Sequence, residues 1–156
     1  MKRGSVLVES VLMLPILLGL LIGTVELARV TYTYYMLQKT MYTLARFLGT
    51  QQGVNFCNPE DAAVQAAVTY ALTDNPIVGL MPNMFQVRIE RYDSNSQQVV
   101  ACDCSAIGCD ASLGSLPPGF IAVSLTDGYL VHPVFWGFAM DPFPLRPAVR
   151  VPYGGT

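Results

Sequence analysis

The chain has 156 residues, 52% of them hydrophobic and 13% charged, with a formal net charge of −2. From Gly49 to Thr156 it holds four Arg, no Lys and nine Asp or Glu, a formal −5. That acidity excludes a charge-built nucleic-acid surface and electrostatic docking of this part on anionic lipid.

Met1-Lys2-Arg3-Gly4 is a short basic leader. The stretch from Ser5 to Val25 behind it is largely apolar except for Glu9. About 20 such residues span a bilayer. A carboxylate at membrane depth costs about 2.5–3.5 kcal/mol on insertion scales, and a plain anchor has no use for one. Lys2 and Arg3 put the N-terminus in the cytoplasm by the positive-inside rule, and everything after the span outside it. Pro15 removes a backbone donor and predicts a kink near Val11. Gly19 and Gly23 frame a GxxxG motif that allows close helix approach.

Helical periodicity continues beyond the membrane. Val30, Tyr34, Leu37, Met41, Leu44 and Leu48 recur at steps of four and three, an amphipathic seam. Glu26 and Val30 connect the glycine face to that seam, so Gly19, Gly23 and Glu26 are candidate helix-packing residues. Gly49 and Gly53 end the helix. From Ser5 to Leu48 it would be about 66 Å long at the α-helical rise. Tyr32, Tyr34, Tyr35 and Tyr42 cluster near the membrane surface, where interfacial anchoring and packing account for them.

A second helix is marked by Asn58 as cap, Pro59 at the first helical position, and Glu60 and Asp61 at its positive end. Val64, Ala67, Val68, Ala71 and Leu72 form its apolar face, and Asn75-Pro76 ends it. Residues 85–92 alternate and predict a strand. Residues 93–96 form a turn, and 97–102 a returning strand. A third strand runs over 120–126, with Asp127-Gly128 closing a tight hairpin onto 129–131. Pro142, Pro144, Pro147 and Pro152 predict an extended, irregular tail, with a short edge strand at 148–151. The expected fold class is α+β. A long membrane-spanning N-terminal helix continues into a small periplasmic domain with a second helix and a short antiparallel sheet. The divisions are a leader at 1–4, a transmembrane helix at 5–28, its extension at 29–48, and the domain at 49–156.

Cys57, Cys102, Cys104 and Cys109 all fall outside the membrane, where oxidising conditions favour disulfides. Four cysteines allow three pairings. Cys102 and Cys104 point the same way on a strand and should not pair with each other. One of them closes the loop to Cys109 and the other reaches Cys57. A thiolate zinc site has the wrong spacing. His132, the only histidine, reads as structural. No nucleophile elbow, P-loop, dinucleotide fingerprint or HExxH occurs. The sequence therefore predicts no catalytic residue, metal, cofactor, nucleic acid or small-molecule substrate. Phe135-Trp136-Gly137-Phe138 reads as buried aromatic sequence or a partner surface.

Arg3-Gly4, Glu9, the Leu14-Pro15 step, the Leu/Gly run after it, and Glu26 followed by Arg29 together resemble the TadE-like family. These are minor pseudopilins of the tight-adherence (Tad) branch of type IV pili. The resemblance covers about the first 50 residues. One position departs: many Tad pilins carry an aromatic residue after the glutamate, and here it is Ser10. The resemblance implies cleavage between Gly4 and Ser5 by a prepilin peptidase. It also implies that Glu9 meets the new amino group of another subunit during assembly. The implied partners are that peptidase, other Tad pilins and pseudopilins, the inner-membrane assembly platform and the lipid bilayer. The implied location is the bacterial inner membrane, or the base or tip of the pilus, with a role in initiation or assembly of the filament. The alternative is an uncleaved bitopic scaffold. A secretory signal fits poorly, because Glu26 sits two residues before the only candidate small residue, Ala28.

Overall fold

The computed structural model describes residues 3–51, 53–93, 97–102, 119–135 and 138–154, with side chains from Glu9 onward except Asp93, Phe135 and Phe138. One helix dominates. α1 runs from Arg3 to Gly49, 47 residues, or about 70 Å. Pro15 lies inside it and does not end it.

The two halves of α1 differ in surroundings. From Val11 to Leu21 the large apolar side chains are 46–69% exposed. From Leu37 onward one face disappears into the protein: Leu37, Met41, Leu44, Ala45 and Leu48 are all fully buried. The predicted seam is thus core in its upper part, with Val30 half-buried and Tyr34 left exposed below it. Thr40 is also buried, and its hydroxyl donates to the Met36 carbonyl at 2.9 Å. That bond within the helix lets a polar side chain sit in the core.

α2, Ala62–Asp74, packs on α1 through Val64, Ala67, Val68 and Ala71, with Leu72 half-buried beside them. Its cap is Asp61, not the predicted Asn58. The Asp61 carboxylate accepts from the Ala63 N–H at 2.9 Å. Asn58 instead closes the preceding turn, accepting on its side chain from the Glu60 N–H at 3.0 Å and on its carbonyl from the Asp61 N–H at 3.1 Å. A 3-10 turn at Pro82–Met84 leads into the sheet.

The main sheet is antiparallel, in the order β2-β1-β3-β8, built from β1 (Phe85–Asp93), β2 (Gln98–Ala101), β3 (Phe120–Leu125) and β8 (Ala148–Pro152). Ile89, Ile121, Val123 and Leu125 point from one face into the core under the helices. The other face carries Arg88, Glu90, Ala122 and Arg150, and an ion pair reaches across β3 from β8 to β1. Arg150 Nε lies 2.6 Å from Glu90 Oε2, and Arg150 Nη2 donates to Glu90 Oε1 at 3.1 Å. The turn expected at 93–96 falls largely on residues outside those described.

The tail is more regular than its prolines suggest. β8 pairs along β3 from Ser124↔Ala148 to Phe120↔Pro152. Pro152 occupies a position whose N–H would face away from the ladder, which is where an edge strand tolerates proline. The predicted hairpin of 120–126 onto 129–131 does not form. β4 (Tyr129–Val131) leaves the sheet and pairs with β7 (Phe143–Leu145). β5 (Val134–Phe135) and β6 (Phe138–Ala139) form a further small hairpin, and β5 contacts α1. Gly128 has φ +79°, and a Cβ there would lie 2.9 Å from the Leu145 carbonyl oxygen, so the turn needs glycine.

The chain closes back on the end of α1. The Gly154 N–H donates to the Gly49 carbonyl at 3.0 Å, and the Tyr153 hydroxyl to the Gln51 carbonyl at 2.8 Å. A Cβ on Gly49 would stand 3.4 Å from the Pro152 carbonyl oxygen, so the strand passes close to the helix terminus.

Candidate functional site on the long helix

Gly4 and Ser5 lie in the first turns of α1. Glu9 is exposed, on a helix surface that is otherwise apolar for several turns. α1 is the one helix among the described residues long and apolar enough to cross a membrane. Its most apolar window has a mean hydropathy of 2.3 and no residue buried within the protein.

Gly19, Gly23 and Glu26 are half-buried and share a face with Leu37, Met41, Leu44 and Leu48. The glycine face therefore points to the same side as the folded domain. Glu26 holds an i,i+3 ion pair with Arg29, at 3.8 Å between Oε2 and Nη1. At that distance, and with Arg29 largely exposed, the pair contributes little. Sequence reasoning placed these residues on one seam. It did not identify the opposite face, where Tyr32, Tyr35, Lys39, Tyr42 and Arg46 are all exposed. The aromatic content pointed to anchoring, and which face stays open depends on where the domain docks.

The cysteines sit in the domain. Cys57, on the α1–α2 connection, and Cys102, just past β2, are both disulfide-bonded. β2 ends at Ala101, one residue short of the prediction, although the Cys102 N–H still donates to the Ile89 carbonyl at 2.8 Å. Cys104 and Cys109 lie outside the described residues.

No group of three or more His, Cys, Asp or Glu side chains among the described residues is placed to hold a metal ion. Among the described residues, open concavities of about 400, 540 and 490 Å³ line the domain. The last is edged by Asp127, Tyr129 and His132. The Tyr129 hydroxyl there is spent on the Val78 carbonyl at 2.7 Å. His132 lies exposed in the loop between β4 and β5. Trp136 and Gly137 of the aromatic sequence are outside the described residues.

Residues 4–46 match the family model of TadE-like protein. No curated protein and no solved structure matches the chain. The matched segment is nearly the whole of α1, from Gly4 to Arg46.

Proposed function

We propose that this TadE-like chain is a minor pseudopilin of a tight-adherence pilus. α1 holds the precursor in the inner membrane, with the domain from Gly49 onward in the periplasm. A prepilin peptidase cuts between Gly4 and Ser5, and the trimmed protein acts in initiation or assembly of the filament. The observation that carries this reading is the coincidence of the family match with one unbroken helix. Its first half is exposed and apolar, and its second half is the spine of the domain core. A signal sequence would not contribute core residues to the mature fold, and a plain anchor does not need Glu9.

The test is processing in the native host. Gly4→Leu should leave the protein at its unprocessed mass, because a peptidase pocket shaped around a hydrogen does not admit an isobutyl group. N-terminal sequencing of the wild-type protein should begin at Ser5. A first residue of Met1 in wild type, or trimming of Gly4→Leu as efficient as wild type, would replace this reading with the uncleaved bitopic scaffold.

A further inference from the structure

The face of α1 turned away from the domain carries a regular stripe. Tyr32, Tyr35, Lys39, Tyr42 and Arg46 follow one another at steps of three and four, directly opposite Leu37, Met41, Leu44 and Leu48. Tyr32, Tyr35 and Tyr42 are 64%, 61% and 51% exposed. Exposed aromatics repeated at helical spacing differ from the single apolar residues that any surface carries. The ion pairs among the described residues are Arg29–Glu26 and Arg150–Glu90, so among those residues neither Lys39 nor Arg46 pairs with a carboxylate. At the upper end Tyr42, Arg46, Phe47, Tyr70 and Asp74 line the open concavity of about 400 Å³. Its wall includes the stacked Phe47 and Tyr70 rings, 5.5 Å apart.

We propose that this stripe docks the acidic domain of a second copy of the same chain. Three observations select that occupant. First, charge is divided within the molecule. The stripe is cationic, while the part from Gly49 onward carries a formal −5 and exposes Glu60, Asp127 and Asp141 away from the stripe's own concavity. Second, height is fixed. Copies anchored in one membrane by the same helix stand level. The upper part of the stripe, from Lys39 to Arg46, spans the stretch of α1 on which the domain itself is packed, so a neighbour's domain is at the right height to meet it. Third, a symmetric contact through the stripe would bring Lys39 and Arg46 of two copies together, and like charges oppose it. The contact is therefore heterologous, stripe to domain, and extends from copy to copy without closing. The tyrosines supply large contact area at low entropic cost, and the cations steer and orient.

The inference rests on α1 being the membrane anchor, and not on cleavage after Gly4. Its test uses the full chain in a bacterial host that makes no such pilus, with two differently tagged copies in the same membrane. A photo-cross-linking amino acid at Tyr42 should give a product of twice the chain mass that carries both tags. Reversing both charges, with Lys39→Glu and Arg46→Glu, should lower the Tyr42 yield by about tenfold. Lys39→Arg with Arg46→Lys should keep it. The wild-type yield should also fall as salt rises from about 0.05 M to about 0.5 M. Two results would overturn the proposal: a Tyr42 probe that captures only lipid or a different protein, or a yield that ignores charge reversal. Because the host lacks the pilus, a negative result bears on this contact alone, whereas the Gly4→Leu experiment bears on processing alone.

Discussion

Glu9 is exposed on α1, with Val11, Leu12 and Met13 following it, each more than half exposed. A carboxylate on that surface would be unpaired in lipid unless another chain supplies a cation. In the proposed pathway the cation is the amino group that cleavage creates on Ser5 of a neighbouring subunit. Two charges that are each costly in lipid become tolerable as a pair. Glu9→Leu should therefore insert as well as wild type and still be trimmed, since Gly4 is untouched. Its co-purification with sheared pili should be lost, with pilus number counted in parallel. A Glu9→Leu protein found in sheared pili at the wild-type level would show that the carboxylate plays no part in assembly. Residues of this kind are legible in sequence because their cost is set by the solvent. Residues placed by local geometry are less so. Asn58 and Asp61 both precede the same apolar helix, and each can accept from a backbone N–H two residues on. The choice went to Asp61, whose second carboxylate oxygen also lies 3.3 Å from the Asn55 N–H.

At the scale of elements, α1 unites two environments that usually belong to separate segments. Periodicity along the chain announced a long helix, a second helix and an antiparallel sheet, because burial repeats at 3.6 residues in helices and at two in strands. The pairing of β4 with β7 had no such signature. Asp127-Gly128 does mark a turn with positive φ at Gly128. The free edge of β3, however, goes to β8, more than 20 residues downstream. Local turn chemistry can report a change of direction but not which distant strand takes the vacant edge. The helix itself offers a direct comparison. Leu44 is fully buried and Leu20 is 64% exposed. Leu44→Ala should destabilise the domain by about 2–5 kcal/mol. Leu20→Ala should change it by no more than about 0.5 kcal/mol. Thermal unfolding of the detergent-solubilised full chain, followed by near-UV circular dichroism, distinguishes the two. Equal melting of Leu44→Ala and wild type would mean that α1 is only leaned upon by the domain and is not its core.

The whole molecule is a domain of modest size hung on one helix, and its closure depends on a few long-range ties. The last strand returns to the end of α1 through Tyr153 and Gly154. The edge ring of Tyr153 also meets Phe56, 5.8 Å away, beside Cys57. Cys57 thus sits where the connection from α1 passes under the C-terminal strand, and Cys102 sits where β2 leaves the sheet. Both are oxidised, and both lie in connections that secondary structure does not hold. A domain of this size buries a limited fraction of its surface, so covalent ties matter more than in a larger fold. We expect all four cysteines to be oxidised in protein from the native envelope, which makes it four hydrogens lighter than the reduced chain. Cys57→Ser should then cost about 2–5 kcal/mol of domain stability, seen as a lower melting temperature or reduced yield. Because that loss comes from the unfolded chain regaining freedom, reductant should lower the melting temperature of wild type more than that of Cys57→Ser. Four alkylatable thiols in freshly isolated protein, or a Cys57→Ser melting curve equal to wild type, would show that α1, α2 and the sheet hold the domain without covalent help.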